Sequence, residues 1–182
     1  NTTLQIGYQT NGQQMPNEKL SKLLECFPNI TISLSVDATH KVFDYMRYPG
    51  KWDKLLDTYS KFKANGWHVS AYCTLSNMNV FYFDYLFEWG MKHFAINEFG
   101  WQFIYGPEEM AVNFMPDALK KRITDKFKQH KFATFFKPII ASINKPCDEK
   151  LLKKFKKTVG GQDEYRNIDA KDFVPEIVDY LY

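Results

Sequence analysis

Hydrophobic and polar positions alternate with a period of two in several short runs of this chain, and with a period near 3.6 in the stretches between them. Ile30–Asp37 is the clearest run. Ile30, Ile32, Leu34 and Val36 fall on one side of an extended chain, and Thr31, Ser33, Ser35 and Asp37 on the other. His68–Thr74 repeats the pattern, with Val69, Ala71 and Cys73 set against His68, Ser70, Tyr72 and Thr74. His93–Phe99 reads as a further strand in which Phe94 and Ile96 oppose Ala95 and Asn97, and Leu4–Gln9 as another, closed by the turn signal Thr10-Asn11-Gly12. Helical periodicity fills the gaps. Asn17 caps a helix carrying Leu20, Leu23, Leu24 and Phe27. A second helix starts at Trp52, carries Leu55, Leu56, Tyr59 and Phe62, and stops at Asn65-Gly66. An aromatic-rich third spans Val80–Trp89 and ends at Gly90. Strand–helix–strand repetition predicts an α/β chain with a parallel sheet and right-handed crossovers.

Strands of a parallel sheet are usually covered on both faces and read as continuous apolar runs. Here each carries one small, polar face. The apolar face must pack on the helices, so the polar face looks away from them. That predicts a curved sheet or barrel around a wet or ligand-filled lumen; the plainer alternative is a layered sheet with one face open to solvent. After Trp101 the pattern changes. An irregular stretch, Phe103–Met115, contains Gly106-Pro107, and Pro116 opens a helix with Leu119, Ile123 and Phe127 inward. A helix around Asp148–Lys157 places Leu151, Leu152 and Phe155 inward, and a last one runs from Phe173 through Pro175 to Leu181. The expected division is therefore 1–101 for the βα units and 102–182 for a mainly helical extension. Lysines crowd the extension (Lys120, Lys121, Lys150, Lys153, Lys154 and Lys157 among them). They are read as solvated faces of amphipathic helices, the alternative being a patch for nucleic acid.

Composition narrows the classes. With 182 residues, 45% of them hydrophobic and 17% aromatic, the chain can form one core and is not a disordered tail. A net charge of +3 requires neither a nucleic-acid nor an anionic-membrane partner. No apolar run reaches the roughly 20 residues that span a bilayer, and Asn1-Thr2-Thr3-Leu4 is not a signal peptide. The absence of an initial Met leads to the expectation that the chain begins partway through a longer polypeptide. Three widely spaced cysteines (Cys26, Cys73, Cys147) suit a reducing cytoplasm and form no disulfide framework. The sequons at Asn1 and Asn29 mean little there.

Sheets of this kind bind ligands at the carboxyl ends of their strands. That rule selects Thr10 and Asn11, Ser35 and Asp37, Thr74 and Asn77, and Asn97 and Glu98. Most are hydroxyls and amides, which orient a ligand rather than transfer protons. His40, His68, His93 and His130 are scattered singly, so no metal set is visible, and neither is a nucleophile with its base. Ordinary roles stand beside these choices: Asp37 as a turn cap, Arg47 as a surface partner of Asp44 or Asp53, and Thr10 and Asn11 as turn residues.

Taken jointly, Thr10-Asn11-Gly12, the strand Ile32-Ser33-Leu34-Ser35-Val36-Asp37, Arg47 within Tyr45-Met46-Arg47-Tyr48-Pro49-Gly50-Lys51-Trp52, and Leu75-Ser76-Asn77-Met78-Asn79 resemble the middle and later strands of the radical S-adenosylmethionine (SAM) superfamily. The resemblance is greatest to members with SPASM or twitch modules. Asp163-Glu164-Tyr165-Arg166-Asn167 and Phe173-Val174-Pro175-Glu176 resemble the tail of the twitch-containing proteins. The resemblance implies the later half of a parallel, partial (β/α)6 TIM-like barrel followed by C-terminal helices. It implies that Ser35 contacts the SAM amino-acid moiety, Arg47 its carboxylate and Asn97 its adenosine end. Asp37 would hold the strand end or reach the ligand, and Thr10, Asn11, Thr74 and Asn77 would line the substrate pocket.

The implied function is the SAM- and substrate-binding half of an enzyme that cleaves SAM reductively and abstracts hydrogen through a 5′-deoxyadenosyl radical, on a small-molecule or peptide substrate. The chain departs from the family in one large respect. The C-x3-C-x2-C set that holds a [4Fe-4S] cluster is missing, as is the glycine-glycine-glutamate motif. Both are expected upstream, in the same polypeptide or in a partner chain. The alternatives are a non-catalytic α/β binding domain, with nucleic acid bound by the basic helices, or half of a split enzyme.

Overall fold

The three period-two runs up to Thr74 do form neighbouring strands. In the computed structural model, which describes residues 4–179, β1 (Gln5–Thr10), β2 (Asn29–Ser35), β3 (His68–Leu75) and β4 (Phe99–Phe103) make one sheet in the order β1-β2-β3-β4. β1 and β3 flank β2 in parallel, with Ile6 opposite Ile30, Ile32 opposite Val69, and Ser35 opposite Tyr72. β4 follows β3 in the same direction: Ala71 N–H donates to Glu98 O at 2.8 Å, and further along Ile104 N–H donates to Leu75 O at 2.9 Å. The chain packs as two compact units, Asn1–Cys73 with Leu86–Trp101, and Thr74–Tyr85 with Gln102–Tyr182.

In the first unit the two sheet faces separate as the alternation predicts. Ile32, Leu34, Val69, Ala71 and Cys73 are buried, whereas Gln5, Gln9, Thr31, Ser33 and Ser70 keep contact with solvent. Helix α3 (Trp52–Ala64) covers the apolar face through Leu55 and Phe62, both fully buried. Gly12, at φ +68°, sits where a Cβ would fall 3.2 Å from both Leu34 and Leu55, so a side chain there is excluded by packing as well as by backbone conformation. Helix α1 (Glu18–Leu24) is capped by Asn17, whose Oδ1 accepts from Leu20 N–H at 2.9 Å. Its two turns bury Leu24 alone, and Leu23, expected inward, is 57% exposed. Helix α2 (His40–Met46) was not expected. It buries Val42, Phe43 and Tyr45, and opens on His40 in a left-handed conformation (φ 52°).

The expected strand His93–Phe99 is wrong. Helix α4 (Phe83–His93), preceded by a 3-10 turn at Val80–Tyr82, runs through Gly90 instead of stopping there. Gly90 serves close packing: a Cβ would lie 2.7 Å from the Phe99 ring. Residues 94–98 are a bend and turn, closed by Glu98, whose Oε2 accepts from Ala95 N–H at 2.9 Å. Phe94 is buried against the Tyr59 and Trp89 rings rather than on a strand face.

In the second unit Pro116 precedes α5 (Asp117–Gln129), with Leu119, Ile123 and Phe127 fully buried as expected. Helix α6 (Ala133–Ile143), not foreseen because Pro138 lies inside it, packs Phe136 on Phe127 at 4.6 Å between ring centroids. Helix α7 (Glu149–Arg166) outruns the expected end at Lys157, because Val159 extends the buried row of Phe155 by one turn. It stops at Asn167 in the left-handed region. Leu151 and Leu152 are only half-buried. The last helix is short, α8 (Pro175–Val178); Leu181, its expected end, and the Asn1 sequon lie outside the described residues. Two of the lysines turn inward rather than lying on a solvated face, Lys120 buried and Lys126 half-buried. Lys120 donates to Lys145 O at 2.9 Å. Lys126 reaches Asp84 at 2.7 Å and Phe81 O at 2.9 Å while lying over the Phe81 and Tyr85 rings. No helix among the described residues is long and apolar enough to cross a membrane.

Candidate functional site

Two segments far apart in sequence meet at the carboxyl ends of β1 and β2, within the first unit. The turn after β1 is held locally: Gly12 N–H donates to Thr10 Oγ1 (3.2 Å) and Gln13 N–H to Asn11 Oδ1 (3.1 Å). Gln13 then bonds across to Lys51. Its Oε1 accepts from Lys51 N–H at 2.7 Å, and its Nε2 donates to Lys51 O at 3.2 Å. Gly50 makes room for this bridge, since a Cβ there would lie 3.1 Å from Gln13 Cδ and 2.8 Å from Arg47 O. Asp44 accepts from Trp52 N–H at 2.7 Å and pairs with Lys51 Nζ at 3.2 Å, satisfying a backbone donor at the start of α3 from outside that helix. The segment 44–52 is thereby fixed to the turn 10–13 on one side and to α3 on the other.

Arg47 occupies this fixed segment. Its Nε lies 2.7 Å from Asp37 Oδ2, so its partner is the acid ten positions back and not Asp44 or Asp53. The contact is electrostatic: the buried Nε–H points along no hydrogen bond. Asp37 is buried and the Arg47 side chain 27% exposed. Such a guanidinium, oriented by a carboxylate, has remaining N–H donors suited to a planar anion such as a carboxylate. Ser35, two residues before Asp37, is buried at the end of the polar face, where Gln9 Nε2 donates to its Oγ at 3.3 Å. Cys73 Sγ lies 3.9 Å from Asp37 O. Burial first, and the Asp37 charge second, push its thiol up, so it is no nucleophile at neutral pH.

The other sequence-selected residues are placed differently. Thr10 pairs in register with Leu34 and thus stands on the apolar side of the sheet, its hydroxyl engaged by the turn. Asn11 is exposed. Asn97 is exposed in the turn before β4, at that strand's amino end, because the strand begins at Phe99 rather than His93. In the second unit Thr74 O accepts from Asn79 Nδ2 at 2.9 Å. Asn77, 1% exposed, donates to Glu109 O and Phe114 O, both at 3.0 Å, and so ties down the loop 109–114. The structure therefore unites Asp37 and Arg47, keeps Ser35 beside them in the chain, and gives Thr10 and Asn77 structural work. Gln13 and Gln9 were missed, and Asp44, considered only as a partner of Arg47, holds Trp52 N–H and Lys51 instead. Gln9 was open to discovery, since it shares the alternating polar face; nothing in the local sequence marks Gln13 or Asp44.

Among the described residues no group of three or more His, Cys, Asp or Glu could hold a metal ion. Cys26 is exposed, Cys73 buried and Cys147 half-buried, and all three are free thiols. An iron–sulfur cluster with three cysteine ligands does not fit the residues of this chain.

No family model matches the chain, and no curated protein matches it. Among solved structures it is similar to native anSMEcpe with bound AdoMet and Cp18Cys peptide, at 15% identity and a TM-score of 0.45 over 67% of this chain and 36% of that one. It is similar also to native anSMEcpe with bound AdoMet, at 16% identity and a TM-score of 0.45 over 67% of this chain and 35% of that one. The chain thus spans about a third of the length of those structures. Likeness at this level assigns neither family nor ligand, and the functional reading rests on the residues.

Proposed function

We propose that this chain is the SAM- and substrate-facing part of a radical SAM enzyme, the later portion of a partial (β/α)6 barrel whose cluster-bearing part is supplied by other residues. The observation that carries the reading is the Asp37–Arg47 pair, at 2.7 Å, at the carboxyl end of a strand with a polar face. Those are the residue types that the resemblance to the family assigns to the cofactor. The donor set fits: a guanidinium oriented by a buried acid, its Nε–H not engaged in a directed bond, and a serine hydroxyl on the same strand end. Arg47 would bind the amino-acid carboxylate of SAM, Asp37 would hold Arg47 in place, and Ser35 would bond the same moiety. When bound and cleaved reductively, SAM supplies the 5′-deoxyadenosyl radical that abstracts hydrogen. This chain's part is to bind, orient and exclude water.

The residues of this chain do not fit the cluster, and their part is confined to holding SAM and substrate. β1 has a strand neighbour on one side only among the described residues, and its open edge is where the preceding strands would add. The test is calorimetric titration of SAM into the anaerobically reconstituted product of the complete open reading frame. Arg47→Ala is expected to weaken binding about thirtyfold or more, the loss typical of removing one partner from a desolvated charge pair. Arg47→Lys should recover only part of it, because the fork is lost. Equal affinity in all three proteins would remove Arg47 from the site.

A further inference from the structure

The polar face of the sheet in the first unit offers a carboxylate only at its two ends. Asp37 stands at the carboxyl end and is taken by Arg47 at 2.7 Å; Glu98 stands at the amino end, with His68 at 3.5 Å. Between them the described residues of that face are hydroxyls, amides, glycines and one aromatic ring. The ring is Tyr72. It is in register with Ser35 on the neighbouring strand, so the two side chains leave the same face from backbones about 4.8 Å apart. Tyr72 is 36% exposed, against 9% for Ser35. Gly100 on β4 supports it from the other side, since a Cβ there would lie 2.7 Å from both Cδ2 and Cε2 of the ring. A residue without a side chain at that position lets the ring lean on β4 by one edge.

We propose that the Tyr72 ring receives the sulfonium of SAM, an assignment that rests on the SAM reading of this site. With the amino-acid head on Arg47 and Ser35, the sulfur is only two methylenes beyond the α-carbon, a reach comparable to the spacing of adjacent strands. The face of an aromatic ring carries negative potential and attracts an organic cation within about 6 Å, as aromatic sites for quaternary ammonium groups do. A ring meets the cation without adding a carboxylate, which would compete with that of SAM for Arg47. Tyr72 thereby distinguishes SAM from S-adenosylhomocysteine, which has the same amino-acid and adenosine ends but a neutral sulfur. Gly100 is the positioning residue behind it.

The test is calorimetric titration of SAM and of S-adenosylhomocysteine into the anaerobically reconstituted product of the complete open reading frame. The ratio of the two affinities cancels the contacts made by their common ends and reads the charge on sulfur. Tyr72→Leu, which keeps an apolar side chain without the ring, should lower the preference for SAM about fivefold, and Tyr72→Phe should retain it. Gly100→Ala, which keeps the ring but forces it from its place on β4, should lower the preference as well. Matched melting curves will show that these variants fold. A wild-type protein that binds no SAM would overturn the SAM reading and this assignment with it. SAM binding in the wild type, with the same preference in Tyr72→Leu or with both ligands weakened equally, would overturn the sulfonium assignment alone.

Discussion

Gln13 joins two parts of the candidate site with one side-chain amide, accepting from Lys51 N–H and donating to Lys51 O. Removing it in Gln13→Ala is expected to destabilise the chain by about 1 kcal/mol, the scale of one or two partly exposed hydrogen bonds, as read from the midpoint of urea unfolding. Gln13→Glu should not rescue it, because a carboxylate keeps the acceptor but sets a second acceptor against Lys51 O. At this scale the sequence showed which residue types were present but not whom they met. Arg47 had acids at positions 44 and 53 to choose from nearby and pairs with Asp37 instead. The reason is that Asp44 is held by Trp52 N–H and Lys51, while α2 carries position 47 back over the end of β2. Side-chain partners chosen by a helix that was itself unforeseen could not be read from spacing.

Helix α3 shows what an element needs from outside itself. Lys51, the residue before its first turn, makes no side-chain cap, and Asp44 takes that role by accepting from Trp52 N–H. Asp44→Ala should therefore cost about 1 kcal/mol, as losing an ordinary N-cap does, and the thermal midpoint should fall accordingly. Asp44→Asn should retain most of the stability, since its amide oxygen still accepts. Elements with a strong period and a local stop were legible: β2 and β3 by their two faces, α3 by its apolar stripe and Gly66 at φ +74°, and α5 by Pro116 and its three inward residues. Those that hid did so for physical reasons. Gly90 looked like a helix stop but is a contact point for Phe99, and a helix end followed by a turn imitated alternation from Phe94 to Asn97. Pro138 argued against a helix that its buried neighbours Phe136, Ile139 and Ile143 nevertheless impose.

Over the whole molecule, the second unit carries an acid-sensitive tie. Glu109 is buried, with Lys154 at 3.0 Å and Thr158 Oγ1 donating to it at 3.3 Å. Its own backbone N–H first, and Lys154 second, hold its carboxyl below the usual value of 4.5. A carboxylate depressed on folding contributes stability that is fully present above its unfolded pKa and is lost as pH falls through the folded one. The melting temperature should therefore drop as pH is lowered from about 5 through the depressed Glu109 pKa, and Glu109→Gln should flatten that part of the curve. A curve of the same slope in the variant would show that other carboxylates set the acid limit. The first unit carries the central claim, that its polar strand ends and the Asp37–Arg47 pair receive SAM. The most direct measurement is chromatographic detection of 5′-deoxyadenosine, after dithionite reduction, in the anaerobically reconstituted product of the complete open reading frame. The account predicts that the wild-type protein forms 5′-deoxyadenosine from SAM and that Arg47→Ala, with its cluster intact by absorbance, forms little or none. No product from the wild type, or equal product from both, would contradict it.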